Sequence, residues 1–140
     1  MTEFYEFHDS TLLDIKYFES RLVLVLDAYK HLRPQGLDNP GTGWWQLIEI
    51  AVDEPAVEFG FSNFPVLLYS GRLGAAGLIA ESEDIVGEEI PASLKGATQV
   101  EIHLDGCEES TNEYKEMKIK GRFAAITQRQ EARFAEVLNF

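Results

Sequence analysis

Apolar and polar residues alternate with a period of two over most of the 140-residue chain, the signature of strands with one buried face. Ser10–Phe18 places Leu13, Ile15 and Tyr17 on one face and Asp14 and Lys16 on the other. After Glu19-Ser20, Leu22–Tyr29 is a second run, rich in Leu and Val. Two such runs across a short turn predict a hairpin. With Glu19-Ser20 as the turn, Leu13 faces Leu26, Ile15 faces Leu24 and Tyr17 faces Leu22, which gives an all-apolar face. His31–Gly43 is rich in Pro, Gly and Asn and reads as a long loop. Further strands are predicted at Trp44–Val52, Ala56–Phe61, Val66–Ser70, Leu78–Glu81, Ile85–Ile90 and Thr98–Leu104. In the last of these Val100, Ile102 and Leu104 point inward, and Gln99, Glu101 and His103 outward. Ser70–Gly74 and Asp105-Gly106 read as turns, and a final strand, Tyr114–Ile126, bends at Gly121.

The tail has a different pattern. Over Gln128–Leu138, Ala132, Phe134, Ala135, Val137 and Leu138 are separated by Gln, Glu and Arg, which suits an amphipathic helix. Thr127 is placed to cap it, with Gln130 completing a capping box. The expected fold is therefore mainly β (α+β): an antiparallel β-sandwich or partial barrel with one C-terminal helix, as a single domain over residues 1–140.

Composition narrows what such a domain can touch. Asp and Glu number 24 against 12 Lys and Arg, a net charge of −12. That balance opposes nucleic acid and anionic membrane, because both are bound through Lys and Arg. The same field attracts a basic protein and speeds the encounter. The N-terminal ten residues have neither the basic nor the apolar region of a signal peptide. A single Cys107 cannot form an internal disulfide, and together these features point to the cytoplasm. Disulfides and metals are not needed to fold a chain of this length, and no cofactor is expected.

Few residues carry recognisable chemistry. In the hairpin register His8 lies across from His31, and with Asp9 nearby the pair could hold a divalent metal, joined by His103 if the fold allows. Asp9 and Ser10 also suit a plain backbone-bonding role at the start of a strand. Trp44 and Trp45 are adjacent, so one ring enters the core while the other points away. The outward ring is either a binding anchor or a packing residue beneath a second layer. Gly71, Gly74 and Gly77 read as turn glycines, since no helix follows them to cradle a phosphate. Cys107 sits among Asp105, Glu108 and Glu109, which disfavour a nucleophilic thiolate. No catalytic residue is assigned.

Phe7-His8-Asp9-Ser10 followed by a Leu-rich hairpin resembles the opening of small bacterial β-proteins, some of them immunity proteins of polymorphic-toxin systems. The resemblance covers roughly the first 25 to 30 residues and carries over no functional residue. It implies a protein that binds and neutralises a toxin. With the charge, it leads to the expectation of a non-enzymatic acidic protein that recognises a basic protein partner. The expected contacts are Trp44, Trp45, Glu81, Glu83, Asp84, Glu88 and Glu89. The alternative is a small-molecule or metal site built on His8, Asp9, His31 and His103, with or without enzymatic activity.

Overall fold

A computed structural model describes residues 2–34, 40–75, 89–91 and 99–138. The described residues form eight strands: β1 (Thr2–Phe18), β2 (Arg21–Arg33), β3 (Thr42–Phe59), β4 (Val66–Ala75), β5 (Glu89–Pro91), β6 (Gln99–Glu108), β7 (Glu113–Gln128) and β8 (Arg133–Val137). Every pairing is antiparallel. Following β2, β1, β4, β6, β7 and β3 in turn, the path returns to β2, because β2 and β3 also pair. The result is a closed six-stranded barrel, which corrects the expectation of a sandwich or partial barrel. Closure removes the free edges that a sandwich would leave.

Alternation of Leu22, Leu24, Leu26 and Ala28 on β2 fills the interior, where none of the four is exposed to solvent. Ile48, Ile50 and Val52 of β3 and Val100, Ile102 and Leu104 of β6 meet them, as the period-two pattern predicts. Tyr5, Phe7 and Leu12 of β1 and Met117 and Ile119 of β7 complete the core. A fully buried Leu or Ile of this kind contributes about 1.5–3 kcal/mol.

Bulges let strands as long as β1 and β3 wrap a narrow barrel. Beside the turn, the first hairpin has the expected register: Ile15 pairs with Leu24 and Tyr17 with Leu22. One bulge at Leu13 then shifts it, so that Leu12 rather than Leu13 meets Leu26. Leu12 is buried while Leu13 and Tyr17 are exposed, so the all-apolar face does not extend along the hairpin. A larger bulge follows, in which residues 7–10 of β1 oppose only Ala28. Asp9 takes a left-handed φ of 66° within it. On β3, Glu54 does the same with a φ of 51°, and the two strands predicted on either side are one.

Both predicted internal turns are strand. Ser70–Gly74 lies in β4 and Asp105-Gly106 in β6. Asp105 uses its carboxylate across the ladder, accepting hydrogen bonds from Ser70 Oγ at 2.6 Å and Tyr114 Oη at 2.7 Å. At Gly71 a Cβ would lie 2.5 Å from Phe7 Cγ, so the glycine marks close packing and not a reversal. The real turn between β6 and β7 is at residues 109–112. Leu78–Glu81, residues 85–88 and Gly77 lie outside the described residues.

The C-terminal helix is also overturned: no helix occurs among the described residues. Thr127 belongs to β7, and Arg133–Val137 is strand β8, with Ala132 just before it and Leu138 just after. β7 pairs with β3 as far as Ile48↔Gln128, and β8 resumes along the same edge at Trp45↔Arg133 and ends at Thr42↔Val137. Arg129 N donates to Leu47 O at 2.9 Å and Leu138 N to Gly41 O at 3.0 Å, so the ladder runs on either side of the break. An eleven-residue helix is marginal alone, whereas this stretch of β3 offers unpaired backbone groups beyond the end of β7.

Glu108, at the end of β6, is fully buried. It accepts hydrogen bonds from Ser62 N (2.6 Å) and Asn63 N (2.8 Å), tying the β3–β4 connection to the barrel. Burial alone would raise its pKa. The two amides and Lys115 Nζ at 3.0 Å outweigh that and pull it to about 2.

Candidate functional site

The residues with most chemical potential converge on the outer surface where β1, β2, β3 and β8 run side by side. Their placement starts from the large bulge. Ser10 pins it: its hydroxyl donates to Glu6 O and accepts the Tyr29 amide at 2.9 Å. Both hydroxyl roles are thus used in backbone bonds, and Ser10 is 2% exposed, which leaves no attacking group there. The bulge also separates the two histidines. His31 pairs with Phe4, not His8, and its ring lies 4.8 Å from that of Phe4.

Glu6 comes between them instead. Its carboxylate lies 3.6 Å from His8 Nδ1 and 3.8 Å from His31 Nδ1, while His8 Nε2 is 3.2 Å from Asp9 Oδ2. His31 Nε2 lies 2.6 Å from the carbonyl oxygen of Pro40, which can only accept, so that nitrogen carries the proton. His103 is elsewhere, on β6 opposite Arg72 and Lys118, with its Nε2 3.3 Å from Glu101 Oε2. Among the described residues no group of three His, Cys, Asp or Glu could hold a metal ion.

Trp44 and Trp45 point to opposite sides, as adjacent strand residues must. Neither is fully buried. Trp44 meets Phe134 edge-on at 5.3 Å and donates from Nε1 to Thr42 Oγ1 at 2.7 Å. Trp45 meets Tyr29, its partner across the β2–β3 ladder, at 5.3 Å and 76°. Tyr29 extends over Gly43, where any Cβ would sit 2.0 Å from the hydroxyl, and donates to Glu136 Oε1 at 2.6 Å. Burial first, then the Glu136 carboxylate and the charges of Glu6 and Asp9, push the phenol pKa well above its usual range. Asp9, Tyr29, Trp45, Ala135 and Glu136 line a pocket of about 380 Å³.

No family model, curated protein or solved structure matches the chain. Its own side chains must therefore carry any functional reading.

A second feature lies on the outer face of β4, β6 and β7. Tyr69 and Tyr114 stack nearly parallel, with centroids 6.2 Å apart at 14°, and both are more than half exposed. Phe59, also exposed, shares a shallow depression with Tyr114, Lys115 and Glu116, and the Lys115 ammonium is paired with Glu108 at 3.0 Å. The hydrogen bond to Asp105 first, then burial and the charges of Asp105 and Glu116, push the Tyr114 pKa up to about 12.

Of the expected contact residues, Glu81, Glu83, Asp84 and Glu88 lie outside the described residues, and Glu89 opens β5, paired with Glu6. The sequence reading missed Glu6, Tyr29, Glu136, Tyr69 and Tyr114. Glu6 had a signal, since it shares a strand face with His8 two residues on. Glu136 had none, because its strand was read as a helix. No helix among the described residues is long and apolar enough to cross a membrane.

Proposed function

We propose that this protein is a non-enzymatic binding protein of the cytoplasm whose acidic surface recognises a basic protein partner, in the manner of an immunity-type inhibitor. The observation that carries the reading is the exposed aromatic stripe of Phe59, Tyr69 and Tyr114, flanked by Asp105 and Glu116 on a chain of net charge −12. Stacking and the bond from Tyr114 to Asp105 hold the two tyrosines in place before any partner arrives, which lowers the entropy lost on binding. Carboxylates speed the approach of a basic surface, and ordered tyrosines slow its release. Trp44 and Trp45 are only partly exposed and suit the role of first anchor less well than Tyr69 and Tyr114, which are more than half exposed.

The test uses the immobilised full chain in lysate of its native source at low salt, beside a Tyr69→Ala/Tyr114→Ala variant. The wild type should retain one basic protein in stoichiometric amount, released by moderate salt, and the variant should lose at least about tenfold of it. Equal retention by the two, or no stoichiometric basic protein, overturns the proposal.

A further inference from the structure

We propose that the corner between Tyr29 and Trp45 is a binding site for an organic cation of the alkylammonium or guanidinium class. The two rings meet edge to face at 76° with centroids 5.3 Å apart, a corner and not a stack, in which Tyr29 is 7% exposed and Trp45 is the more open of the two. The pocket they line, about 380 Å³, carries Asp9 and Glu136 on its rim. Aromatic faces attract cations through their quadrupole, indole most strongly, and a carboxylate nearby adds direct charge attraction.

The wall favours an organic cation over a metal, and the surrounding bonds shape the site. Ring carbons cannot ligate a metal, yet they supply much of this wall. Tyr29 donates its proton to Glu136, which enriches the phenol ring in electrons and fixes the carboxylate beside it. Arg133, the partner of Trp45 across the β3–β8 ladder, is engaged with Asp27. His8 competes for Asp9 at 3.2 Å, and an incoming cation would have to share that carboxylate.

The cation could be a free small molecule or the Lys or Arg side chain of a basic protein. Only in the second case does the site belong to the function proposed above. Binding of a free cation does not involve the Tyr69–Tyr114 face, so this test and the lysate experiment can fail separately.

A Trp44→Phe background leaves Trp45 as the sole tryptophan reporter. Its fluorescence is followed against n-butylguanidinium, the neutral isostere n-butylurea, and an acetylated, amidated Ala-Arg-Ala peptide. The guanidinium should saturate the signal and bind at least about tenfold more tightly than the urea. Asp9→Asn and Glu136→Gln should each weaken it by about tenfold. Asp9 is exposed and in a left-handed conformation that Asn tolerates, so its variant keeps the fold. A peptide about tenfold tighter than the free cation assigns the site to a protein side chain, and equal binding assigns it to a small molecule. Equal response to guanidinium and urea, no response to either, or Asp9→Asn binding like the parent overturns the proposal.

Discussion

Gly71 offers a direct test of how this barrel is packed. It lies in β4 opposite Leu104, with Phe7 of β1 pressed against its α-carbon. A Cβ there would lie 2.5 Å from Phe7 Cγ, 2.8 Å from Phe7 Cβ and 2.8 Å from Leu104 Cδ2. Carbon atoms pack comfortably at about 3.5–4.0 Å, so Gly71→Ala overlaps its neighbours by about 1 Å. Phe7 is wholly buried and cannot swing into solvent. The expected cost of Gly71→Ala is about 1–3 kcal/mol, and that of Phe7→Ala about 3–5 kcal/mol. Together they should cost about 1 kcal/mol or more less than the two added, because the new methyl partly refills the space the phenyl leaves. Rescue stays partial, since Cβ of residue 7 remains. With 140 residues, each kcal/mol moves Tm by about 3 °C. Urea unfolding followed by tryptophan fluorescence and circular dichroism reads all four proteins. A Gly71→Ala protein within about 0.5 kcal/mol of wild type, or additivity within about 0.5 kcal/mol, would falsify this packing and restore the turn reading of Ser70–Gly74.

Three other outcomes are expected. Tyr29→Phe removes a donor from the Glu136 carboxylate and should cost about 1.5–3 kcal/mol in urea unfolding, and Gly43→Ala, which crowds the hydroxyl most, should cost less in the Tyr29→Phe background but still destabilise it, because ring Cζ stays 2.6 Å from the new methyl; equal costs in both backgrounds would contradict the contact. The Glu108 pKa falls on folding from an ordinary 4.5 to about 2, so its contribution is complete above pH 4.5 and is lost as pH drops toward 2. Thermal unfolding of Glu108→Gln should therefore begin from a lower Tm at neutral pH and lack that part of the acid decline, and parallel Tm–pH curves would count against it. Deleting residues 129–140 uncovers Trp44, which packs on Phe134, and should red-shift the emission without loss of any helical circular-dichroism signal; a drop in helical signal would mean that the tail is a helix after all.

What could be read in the sequence depended on how far each strand runs without interruption. The apolar positions of β6 alternate cleanly, and Val100, Ile102 and Leu104 are inside as expected, but Glu101, read as outward, is buried too, at 5% exposure. In β1–β2 the pairs nearest the turn, Ile15 with Leu24 and Tyr17 with Leu22, are legible because a short loop sets their register. Beyond Leu13 the register is set by bulges, which local pattern does not announce. Glycines misled in the same way: a close approach and a turn both call for a missing side chain, and only the partner strand, here Phe7 against Gly71, tells them apart. The tail failed for another reason. Its apolar spacing suits a helix, but β8 has no buried face, and backbone pairing to β3 decides its conformation.

These errors meet at the candidate site. A regular hairpin would have set His8 across from His31. The residues inserted at 7–10 carry His8 away and leave Glu6 between the two imidazoles, while Asp9 turns into its left-handed conformation on the rim of the Tyr29–Trp45 corner. Glu136 arrives from the far side only because the tail is a strand in register with Gly43. A chain without the bulge, or with a helical tail, would keep every one of these residues and lose the pocket. The departures from regular pattern that hide the site from the sequence are the same ones that build it.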